Sequence, residues 1–511
     1  EKVIVKRLSA VEDLGDIEIL CTDKTGTLTE NKLELVNIHS KNKEKCLLYA
    51  LLSSSYMEEE IESSLNPFDL AFFEKAPHNI RQSLKNFREI SEIPFDPTRL
   101  KNSALLEEKS GEKILIVKGA PEVILGLSST FEDDLSREQI QREIRREGEE
   151  GKRVLAIAFK KLDKSDLTED DEGNLIFLGY FSFRDPLKKT AKEAIQLAKK
   201  LGIEIKIVTG DSKEVAGAIA KEIGLITDPQ KVILGELLDS LSENDLEKKV
   251  QEFSVFARVS PHTKYKIVEA LQKKYEVGFL GEGINDAPAL KASNVAIAVR
   301  EAADVVREVS DIILLKKDLK VIIHGIREGR NIFANINKYI KCTLSSNFGN
   351  FYSIAFISLI IPFLPMLPMQ ILLVNLLTDF PLIAIASDRV DIQELRKPRF
   401  YQLHRVILLI VLLAFMSTIF DFLFFGIFHK VQPSLLQTLW FIESILTEIL
   451  LIFSIRTSGF FLKAKTPSFP LIALSSFAAI FTILLPFTYW GKKIFQFVSP
   501  PFPALLILFS S

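Results

Sequence analysis

The stretch of sequence with the most evident chemistry is Asp23-Lys24-Thr25-Gly26-Thr27-Leu28-Thr29, which follows a predicted buried strand at Ile17–Cys21. An aspartate at the end of a strand, beside a glycine turn with free N–H groups and hydroxyls, is well placed to meet a phosphate. Such a carboxylate can act as a nucleophile and form an acyl-phosphate intermediate. The string therefore predicts covalent phosphoryl transfer at Asp23, whereas a lone aspartate would more simply start a surface turn.

Three later motifs supply the other groups that phosphoryl transfer needs. Thr209-Gly210-Asp211 follows a predicted strand at Ile203–Val208, and its hydroxyl and N–H groups can hold a phosphate oxygen. Lys264 lies near the start of a predicted helix and can supply positive charge. Gly281-Glu282-Gly283-Ile284-Asn285-Asp286 adds two carboxylates. Together with Asp23 they favour Mg²⁺, which prefers oxygen ligands.

These motifs require a particular kind of sheet to bring them together. Strand-like runs, including Val255–Ala257 and Val277–Leu280, alternate with helical patterns such as Ser212–Ile223 and Pro261–Lys274. This alternation predicts a parallel sheet with helices on both faces, whose active groups lie at the carboxyl ends of the strands. Residues 31–171 have a different sequence pattern, with a long charged helical stretch. They are predicted to form an inserted domain with its own core.

Composition excludes several classes of protein. The chain has 511 residues, of which 64 are Lys or Arg and 66 are Asp or Glu, and the net charge of −2 offers no support for nucleic-acid binding. Three cysteines exclude a secreted fold built on disulfides. Only 18 of the 130 charged residues lie in residues 342–511. The chain therefore divides into a soluble part and a membrane part.

Six apolar stretches in the last third are each predicted to cross a membrane as a helix, which takes about 20 residues. They are Cys342–Pro362, Met366–Ser387, Val406–Phe428, Leu435–Ile455, Pro470–Phe487 and Ile494–Ser510. Basic residues concentrate in the loops after the second and fourth stretches, which predicts that the soluble part lies in the cytoplasm and the chain in the cytoplasmic membrane. Glu1–Ala10 is charged and short, so no signal peptide is predicted.

The motifs resemble those of the P-type cation-transporting ATPases. The strings DKTGTLT at Asp23, TGD at Thr209 and GxGINDAPALK at Gly281–Lys291 carry the resemblance, and Lys118-Gly119-Ala120-Pro121-Glu122 resembles a string of that family's nucleotide-binding domain. The resemblance implies an α/β haloacid-dehalogenase-like phosphorylation domain with an inserted α+β nucleotide-binding domain, followed by an all-α bundle of six transmembrane helices. The domains would be residues 1–30 and 172–341 for phosphorylation and stalk, 31–171 for nucleotide binding, and 342–511 for the membrane.

The resemblance also implies roles for individual residues, with ATP and Mg²⁺ as cofactors. The catalytic residues would be Asp23, which is phosphorylated, Lys264, Thr209, Gly210, Asp211, Asn285 and Asp286. The nucleotide-binding residues would be Asp69, Lys118, Gly119, Arg153, Thr25 and Phe95, the last of which is equally well explained as a core residue. The ligands of the catalytic Mg²⁺ would be Asp23, Thr25, Glu282 and Asp286.

The sequence departs from the family pattern in three places. Glu282 stands where the family usually has aspartate, so a metal preference or turnover different from the family's is expected. Pro97-Thr98-Arg99-Leu100-Lys101 replaces an arginine-rich run, which weakens the prediction of nucleotide contacts there. About 22 residues precede Asp23, whereas the family has an actuator domain and four spans before it. The chain is therefore expected to need that N-terminal half as a partner to complete transport.

Polar residues at membrane depth predict the site of the transported ion. The candidates are Asn350, Asn375, Thr378, Asp379 and Glu443, and Asp421 and Glu448 are either further ligands or structural. Oxygen ligands suit Mg²⁺ or Ca²⁺ better than soft metals. The strings SSNFGN and Ile419-Phe420-Asp421 resemble the magnesium-transporting branch, whereas Asn375-Leu376-Leu377-Thr378-Asp379 also resembles calcium pumps.

The predicted function is ATP-driven cation transport, with Mg²⁺ ranked first, then Ca²⁺, then H⁺. Two alternatives of other classes remain. One is a membrane-anchored phosphatase of the same fold, although Thr25 stands where such phosphatases keep a second aspartate. The other is an inactive regulator, which Glu282 and the expected absence of an N-terminal half would explain.

Overall fold

The structure is a computed structural model that describes residues 3–7, 9–24, 26–30, 32–54, 66–96, 98–132, 136–396, 398, 403–457 and 465–510. The chain forms two compact units. The first comprises Glu1–Lys6, Ile19–Lys199 and Glu204–Ile323, and the second comprises Arg7–Glu18, Lys200–Ile203 and His324–Ser511.

Strands and helices are numbered here in chain order. The strands are Val3–Val5 (β1), Ile19–Thr22 (β2), Glu34–His39 (β3), Phe87–Asp96 (β4), Lys101–Glu108 (β5), Lys113–Gly119 (β6), Ser128–Phe131 (β7), Arg153–Lys161 (β8), Leu175–Arg184 (β9), Glu204–Val208 (β10), Ile233–Leu234 (β11), Val255–Ala257 (β12), Val277–Gly281 (β13), Val295–Val299 (β14) and Ile312–Leu314 (β15). The helices are Ser9–Asp16 (α1), Lys43–Leu52 (α2), Pro67–Lys75 (α3), His78–Ser83 (α4), Pro121–Leu127 (α5), Arg137–Glu149 (α6), Ala191–Lys200 (α7), Lys213–Glu222 (α8), Gly235–Asp239 (α9), Glu243–Glu252 (α10), Pro261–Gln272 (α11), Ala287–Ala292 (α12), Asp304–Val309 (α13), Leu319–Ile357 (α14), Pro368–Ala384 (α15), Leu403–Phe428 (α16), Pro433–Ile455 (α17), Phe469–Leu484 (α18), Tyr489–Phe495 (α19) and Phe502–Ser510 (α20).

The larger sheet of the first unit has the strand order β1-β15-β14-β13-β2-β10-β12-β11. Its neighbouring strands are parallel except for the antiparallel edge pair β1–β15. Every residue of β2 is buried, as expected for a central strand with both faces covered. Thr22 of β2 pairs with Leu280 of β13 on one side and with Ile207 of β10 on the other. The residues that follow these three strands therefore meet at one edge.

The smaller sheet has the strand order β3-β9-β8-β6-β5-β4 with antiparallel pairs, and β7 pairs with β9 in parallel. Both faces are covered: Leu105 and Leu115 belong to one apolar cluster, and Leu106 and Ile116 belong to the other. This split follows from the two-residue period of a strand. Because β9 ends at Arg184, this sheet continues past residue 171, the predicted end of the inserted domain.

Four helices of the second unit are long and apolar enough to cross a membrane, counting only the described residues. They are Pro368–Ser387, Val406–Phe428, Pro433–Ile455 and Phe469–Phe487. Each corresponds to one of the six predicted spans. Fully buried Trp440 and Phe441 of α17 lie in the main apolar cluster of this unit, packed with residues of α15 and α16.

The first and last predicted spans differ from expectation. The first is the end of the 39-residue helix α14, which stops at Ile357. The last is not a single helix, so the prediction of one continuous helix at Ile494–Ser510 is wrong: α19 ends before Gln496, which has a left-handed backbone with φ of 57°, and α20 starts only at Phe502. The proline pair Pro500-Pro501 cannot donate backbone hydrogen bonds and separates the two short helices.

Candidate active site

Lys264 stands at the centre of the predicted phosphorylation site. Its Nζ donates to Asp23 Oδ2 at 2.8 Å and to Asp286 Oδ1 at 2.8 Å. Burial by itself lowers the pKa of Lys264, but the two carboxylates outweigh burial and raise this pKa above its ordinary value. The amine is therefore charged at neutral pH and neutralises part of a two-carboxylate site.

Local structure fixes these three side chains. Lys264 lies in the first turn of α11, which starts with Pro261 and is capped by the Ser260 hydroxyl accepting the N–H of Thr263. Asp286 ends a short 3₁₀ turn after β13, and its Oδ2 accepts the N–H groups of Glu282 at 3.1 Å and Gly283 at 3.2 Å. The turn therefore presents Asp286 to the lysine.

Gly281 is required for this turn. A Cβ at Gly281 would lie 2.6 Å from Asp286 Cβ, closer than real side chains approach. The absence of a side chain at Gly281 therefore lets Asp286 lie against the end of β13, next to Asp23.

A second charged cluster lies beside Asp23. Fully buried Lys24 places its Nζ 2.5 Å from Asp211 Oδ2 and 3.9 Å from Asp185 Oδ2, and Arg153 Nη2 donates to Asp211 Oδ1 at 2.6 Å. Burial raises the pKa of Asp211, but Arg153 and Lys24 outweigh it and hold the pKa at about 2. Asp211 is thus ionised at neutral pH and pairs with two cations. Lys24 and Asp185 are not predicted from the sequence as site residues, because a lysine next to Asp23 and an aspartate after a strand carry no distinctive signal on their own.

The remaining predicted catalytic residues are placed as follows. Thr209 is buried, and its Oγ1 accepts the N–H of Asp211 at 3.2 Å. A Cβ at Gly210 would meet no atom within 4 Å, so the space beside this residue is open. Asn285 is exposed. Thr25 lies outside the described residues.

The oxygen ligands at this edge fit a hard cation such as Mg²⁺ only in part. Asp23 and Asp286 share one amine and therefore lie close together, and their chemistry suits Mg²⁺. The carboxylate of Glu282 instead forms an ion pair with Lys317. Among the residues that the structure describes, no group of three or more His, Cys, Asp or Glu side chains is arranged to hold a metal.

The two chain segments that connect the sheets pair with each other near the site. Glu30 N donates to Pro186 O at 2.8 Å, and Lys188 N donates to Leu28 O at 2.9 Å. Thr29 Oγ1 accepts the N–H of Gly26 and donates to Asp185 Oδ2 at 2.6 Å. The loop after Asp23 is thus held by the segment that returns from the smaller sheet.

Two of the predicted nucleotide-binding residues, Lys118 of β6 and Asp69 of α3, form one buried group beside the smaller sheet. Lys118 Nζ donates to Asp69 Oδ1 at 2.7 Å and to Ser54 Oγ at 2.8 Å. Gly119 follows Lys118 at the end of β6, and a Cβ there would lie 2.5 Å from Leu100 O. Phe95 is 59% exposed, which leaves its ring free to stack and argues against a core role.

Arg153 is set apart from the Lys118 group. Its guanidinium binds Asp211 and lies 5.4 Å from the centroid of the Phe68 ring. This arginine therefore links the start of β8 to the edge of the larger sheet where Asp23 lies.

The polar residues of the membrane helices divide into three groups. Asn350 Nδ2 donates to Glu448 Oε1 at 2.6 Å, Ser444 Oγ donates to Asn350 Oδ1 at 3.3 Å, and Thr378 also interacts with the Glu448 carboxyl. Asn375 and Asp379 share the exposed face of α15 instead. The structure thus brings together Asn350 and Thr378 of the predicted ion site, but not Asn375 or Asp379.

Glu443 and Asp421 form a neighbouring pair. The two carboxyl groups interact, and Asp421 accepts hydrogen bonds from Ser353 Oγ at 2.5 Å and Trp440 Nε1 at 2.7 Å. Glu443 therefore lies with Asp421 rather than with Asn350 and Glu448, which form the first group.

A carboxylate follows a central parallel strand, and a buried lysine bridges it to a second carboxylate. An arginine links the smaller sheet to this edge. Such an arrangement is typical of the class of proteins that transfer phosphoryl groups. Here that unit belongs to a chain with helices able to cross a membrane. Two family models match: "P-type ATPase, cytoplasmic domain N" over residues 10–190 and "Cation transporting ATPase, C-terminus" over residues 363–511.

The chain belongs to the P-type cation-transporting ATPases. It is 39% identical over 510 residues to "Magnesium-transporting ATPase, P-type 1" of Escherichia coli (strain K12), covering 96% of this chain and 56% of that protein. The protein of the same name from Salmonella typhimurium (strain LT2) is 38% identical with the same coverage. "Calcium-transporting ATPase 1" of Lactococcus lactis is 32% identical over 421 residues, covering 76% of this chain and 48% of that protein. The chain thus spans about half the length of these relatives.

Proposed function

We propose that this chain carries the phosphorylation, nucleotide-binding and part of the ion-translocating machinery of an ATP-driven cation pump. The observation that carries the proposal is the position of Lys264 Nζ, 2.8 Å from both Asp23 and Asp286 at the ends of adjacent strands. A positioned carboxylate, a fixed cation and a second carboxylate for a metal are the parts that phosphoryl transfer needs.

In the proposed reaction, the carboxylate of Asp23 attacks the γ-phosphorus of ATP. The bond between that phosphorus and the β–γ bridging oxygen breaks, ADP leaves, and an aspartyl phosphate remains for water to hydrolyse later. Lys264 neutralises charge on the transferred group, and Thr209 and Gly210 hold its oxygens. Bound Mg²⁺ would supply further charge neutralisation, with Asp23, Asp286 and Thr25 as its ligands.

The nucleotide would bind against the smaller sheet. Exposed Phe95 offers a ring for the adenine, and Lys118 with Gly119 lies at the end of β6. Arg153 extends from this domain and binds Asp211. In this proposal its guanidinium would contact the phosphates of ATP, which extend toward Asp23. In this assignment the larger sheet is a haloacid-dehalogenase-like phosphorylation domain, and the inserted domain binds ATP.

The transported cation in this proposal is Mg²⁺. The relatives named as magnesium-transporting match 96% of the chain at 35–39% identity, whereas the calcium-transporting protein of Lactococcus lactis matches 76% at 32%. Ca²⁺ is therefore the second candidate. The ligands would come from Asn350, Thr378 and Glu448 inside the bundle and from Asn375 and Asp379 on the exposed face of α15.

The proposal extends to the setting of the chain. The four long apolar helices, with the end of α14 and the α19–α20 region, would make six crossings of the cytoplasmic membrane, and the first unit would lie in the cytoplasm. An actuator domain and four further helices, of the kind that the family resemblance implies, would complete the pump.

Phosphorylation from ATP tests the proposal. The purified chain, in detergent micelles with Mg²⁺ and γ-³²P-ATP, should incorporate acid-stable label that hydroxylamine removes, as expected for an acyl phosphate. Asp23→Asn should abolish the label, whereas Asp163→Asn, which changes an aspartate with a 99% exposed side chain, should keep it. Labelling that survives in Asp23→Asn would overturn the proposal.

A further inference from the structure

The carboxylate of Glu282 is held away from the other two acids of the site. Its backbone lies at the site, because the N–H of Glu282 donates to Asp286 Oδ2 at 3.1 Å. Its side chain extends instead to Lys317, with which it forms a hydrogen-bonded ion pair. Both side chains are partly exposed, at 35% for Glu282 and 21% for Lys317.

Lys317 is itself fixed relative to the loop that follows Asp23. The amine of Lys188 donates to Gly26 O and to Lys317 O, at 2.5 Å in each case. Lys188 also donates its backbone N–H to Leu28 O. The backbone at Lys317, which follows β15, is therefore tied to the phosphorylation loop through one partly buried lysine, and Glu282 has a fixed partner.

The register of the sheet shows what Glu282 could otherwise reach. Leu280 pairs with Thr22, so Gly281 lies beside Asp23 and Glu282 one residue beyond it. From this position a rotation of the Glu282 side chain would direct its carboxylate toward Asp23 and Asp286. In that orientation the carboxylate would leave the ammonium group of Lys317.

We propose that Lys317 is a positioning residue that competes with the catalytic Mg²⁺ for the carboxylate of Glu282. This inference rests on the proposed function, because it requires a metal at Asp23 and Asp286. Without metal, Lys264 neutralises Asp23 and Asp286 while Lys317 neutralises Glu282. With a metal at Asp23 and Asp286, the carboxylate of Glu282 would leave the ammonium of Lys317 and serve as a further ligand.

The side-chain length of Glu282 is part of this arrangement. Aspartate at this position would be one methylene shorter and would not reach Lys317 from the same backbone. Because the ion pair is partly exposed, its contribution is small and the exchange is readily reversible. Removing the competition should therefore tighten metal binding by about two- to fivefold, the factor that corresponds to a partly exposed ion pair.

Mn²⁺ binding tests the inference without measuring turnover. The purified full chain would be titrated with Mn²⁺ alone, the free ion being followed by its electron paramagnetic resonance signal. Binding at this site is defined as the fraction of the bound Mn²⁺ that is lost in the Asp286→Asn variant. Lys317→Met, which keeps the aliphatic stem, should tighten that part about two- to fivefold. Lys316→Met, a change at the exposed neighbouring lysine, should leave it unchanged.

A second variant gives an independent reading. Glu282→Asp should tighten Mn²⁺ binding as Lys317→Met does, and the double variant should be no tighter than either single one, because both remove the same ion pair. Additive effects of the two substitutions would overturn this inference alone. So would a Lys317→Met variant that binds Mn²⁺ with the wild-type affinity while Asp286→Asn still removes binding. Wild-type protein without any Asp286-dependent Mn²⁺ binding would overturn the proposed function as well.

Discussion

At the scale of single residues, the amine of Lys264 bridges the carboxylates of Asp23 and Asp286 and offsets the repulsion between their charges. Lys264→Met should remove this charge and cost about 10²-fold or more in the rate of phosphoenzyme formation, because the charge of the transferred group would lose its fixed cation. The measurement is the initial rate of ³²P incorporation from ATP in the purified chain.

The matched control for this variant is Lys266→Met. Lys266 lies on the same helix but pairs with Asp239 at 3.6 Å, away from the site. It should label at the wild-type rate. Equal rates for Lys264→Met and the wild type would remove Lys264 from the mechanism.

Asp211 gives a prediction about acid stability. Its pKa in the folded chain is about 2, below the ordinary 3.8, so its contribution to stability is fully present above about pH 5. It is lost as the pH falls through about 4 to 2, and the shift corresponds to about 2 kcal/mol. Asp211→Asn should therefore unfold at a lower temperature than the wild type at neutral pH, and the difference should shrink toward pH 2. Thermal unfolding across this range checks the prediction, and a pH-independent difference would contradict it.

The sequence predicts the residues around Lys264 better than those around Lys24. Asp23, Lys264 and Asp286 each follow a recognisable strand or start a helix, and parallel strands bring their ends together. Lys24 and Asp185 carry no such signal. Their partnership depends on which way each side chain points and on how the returning segment after β9 is placed, and these are properties of tertiary packing rather than of local pattern.

At the scale of elements, the turn after β13 depends on the absence of a side chain at Gly281. Gly281→Ala would place a Cβ 2.6 Å from Asp286 Cβ, so the turn must shift and Asp286 must leave Lys264. We expect a loss of phosphoenzyme of about tenfold or more. Labelling by γ-³²P-ATP at a fixed protein concentration measures this.

Gly283→Ala is the control for this element. Its Cβ would approach Asp286 Oδ2 only to 3.8 Å, and its backbone φ of −89° is open to any residue. This variant should label like the wild type. If the two alanine variants behave alike, the close contact at Gly281 is not what shapes the turn.

Hydrophobic periodicity predicts β12 with its observed bounds, α8 to within one residue and β2 to within two residues, because each is short and bounded by turn residues. It fails at the end of the inserted domain, since β9 is buried on both faces and looks like a strand of either sheet. It also fails for the last span, where composition predicts one helix but local proline chemistry interrupts it.

At the scale of the whole molecule, the second unit is joined at one end of its helices by Asp388. This fully buried carboxylate accepts from Arg456 Nε at 3.2 Å and from Ser468 N at 3.1 Å, and Lys338 Nζ lies 3.5 Å away. One side chain thus links α14, the segment after α15, the end of α17 and the start of α18. Such a buried carboxylate is costly to remove because its cationic partners stay buried.

Asp388→Asn should therefore destabilise the second unit by about 3–5 kcal/mol and lower its unfolding temperature. Both tryptophans of the chain, Trp440 and Trp490, lie in this unit, so tryptophan fluorescence during heating in detergent micelles reports on it selectively. Asp13→Asn is the control, because Asp13 belongs to the same unit but forms only an exposed pair with Arg7 at 3.7 Å. That variant should unfold with the wild type. An unchanged fluorescence midpoint in Asp388→Asn would show that the helices are held by apolar packing alone.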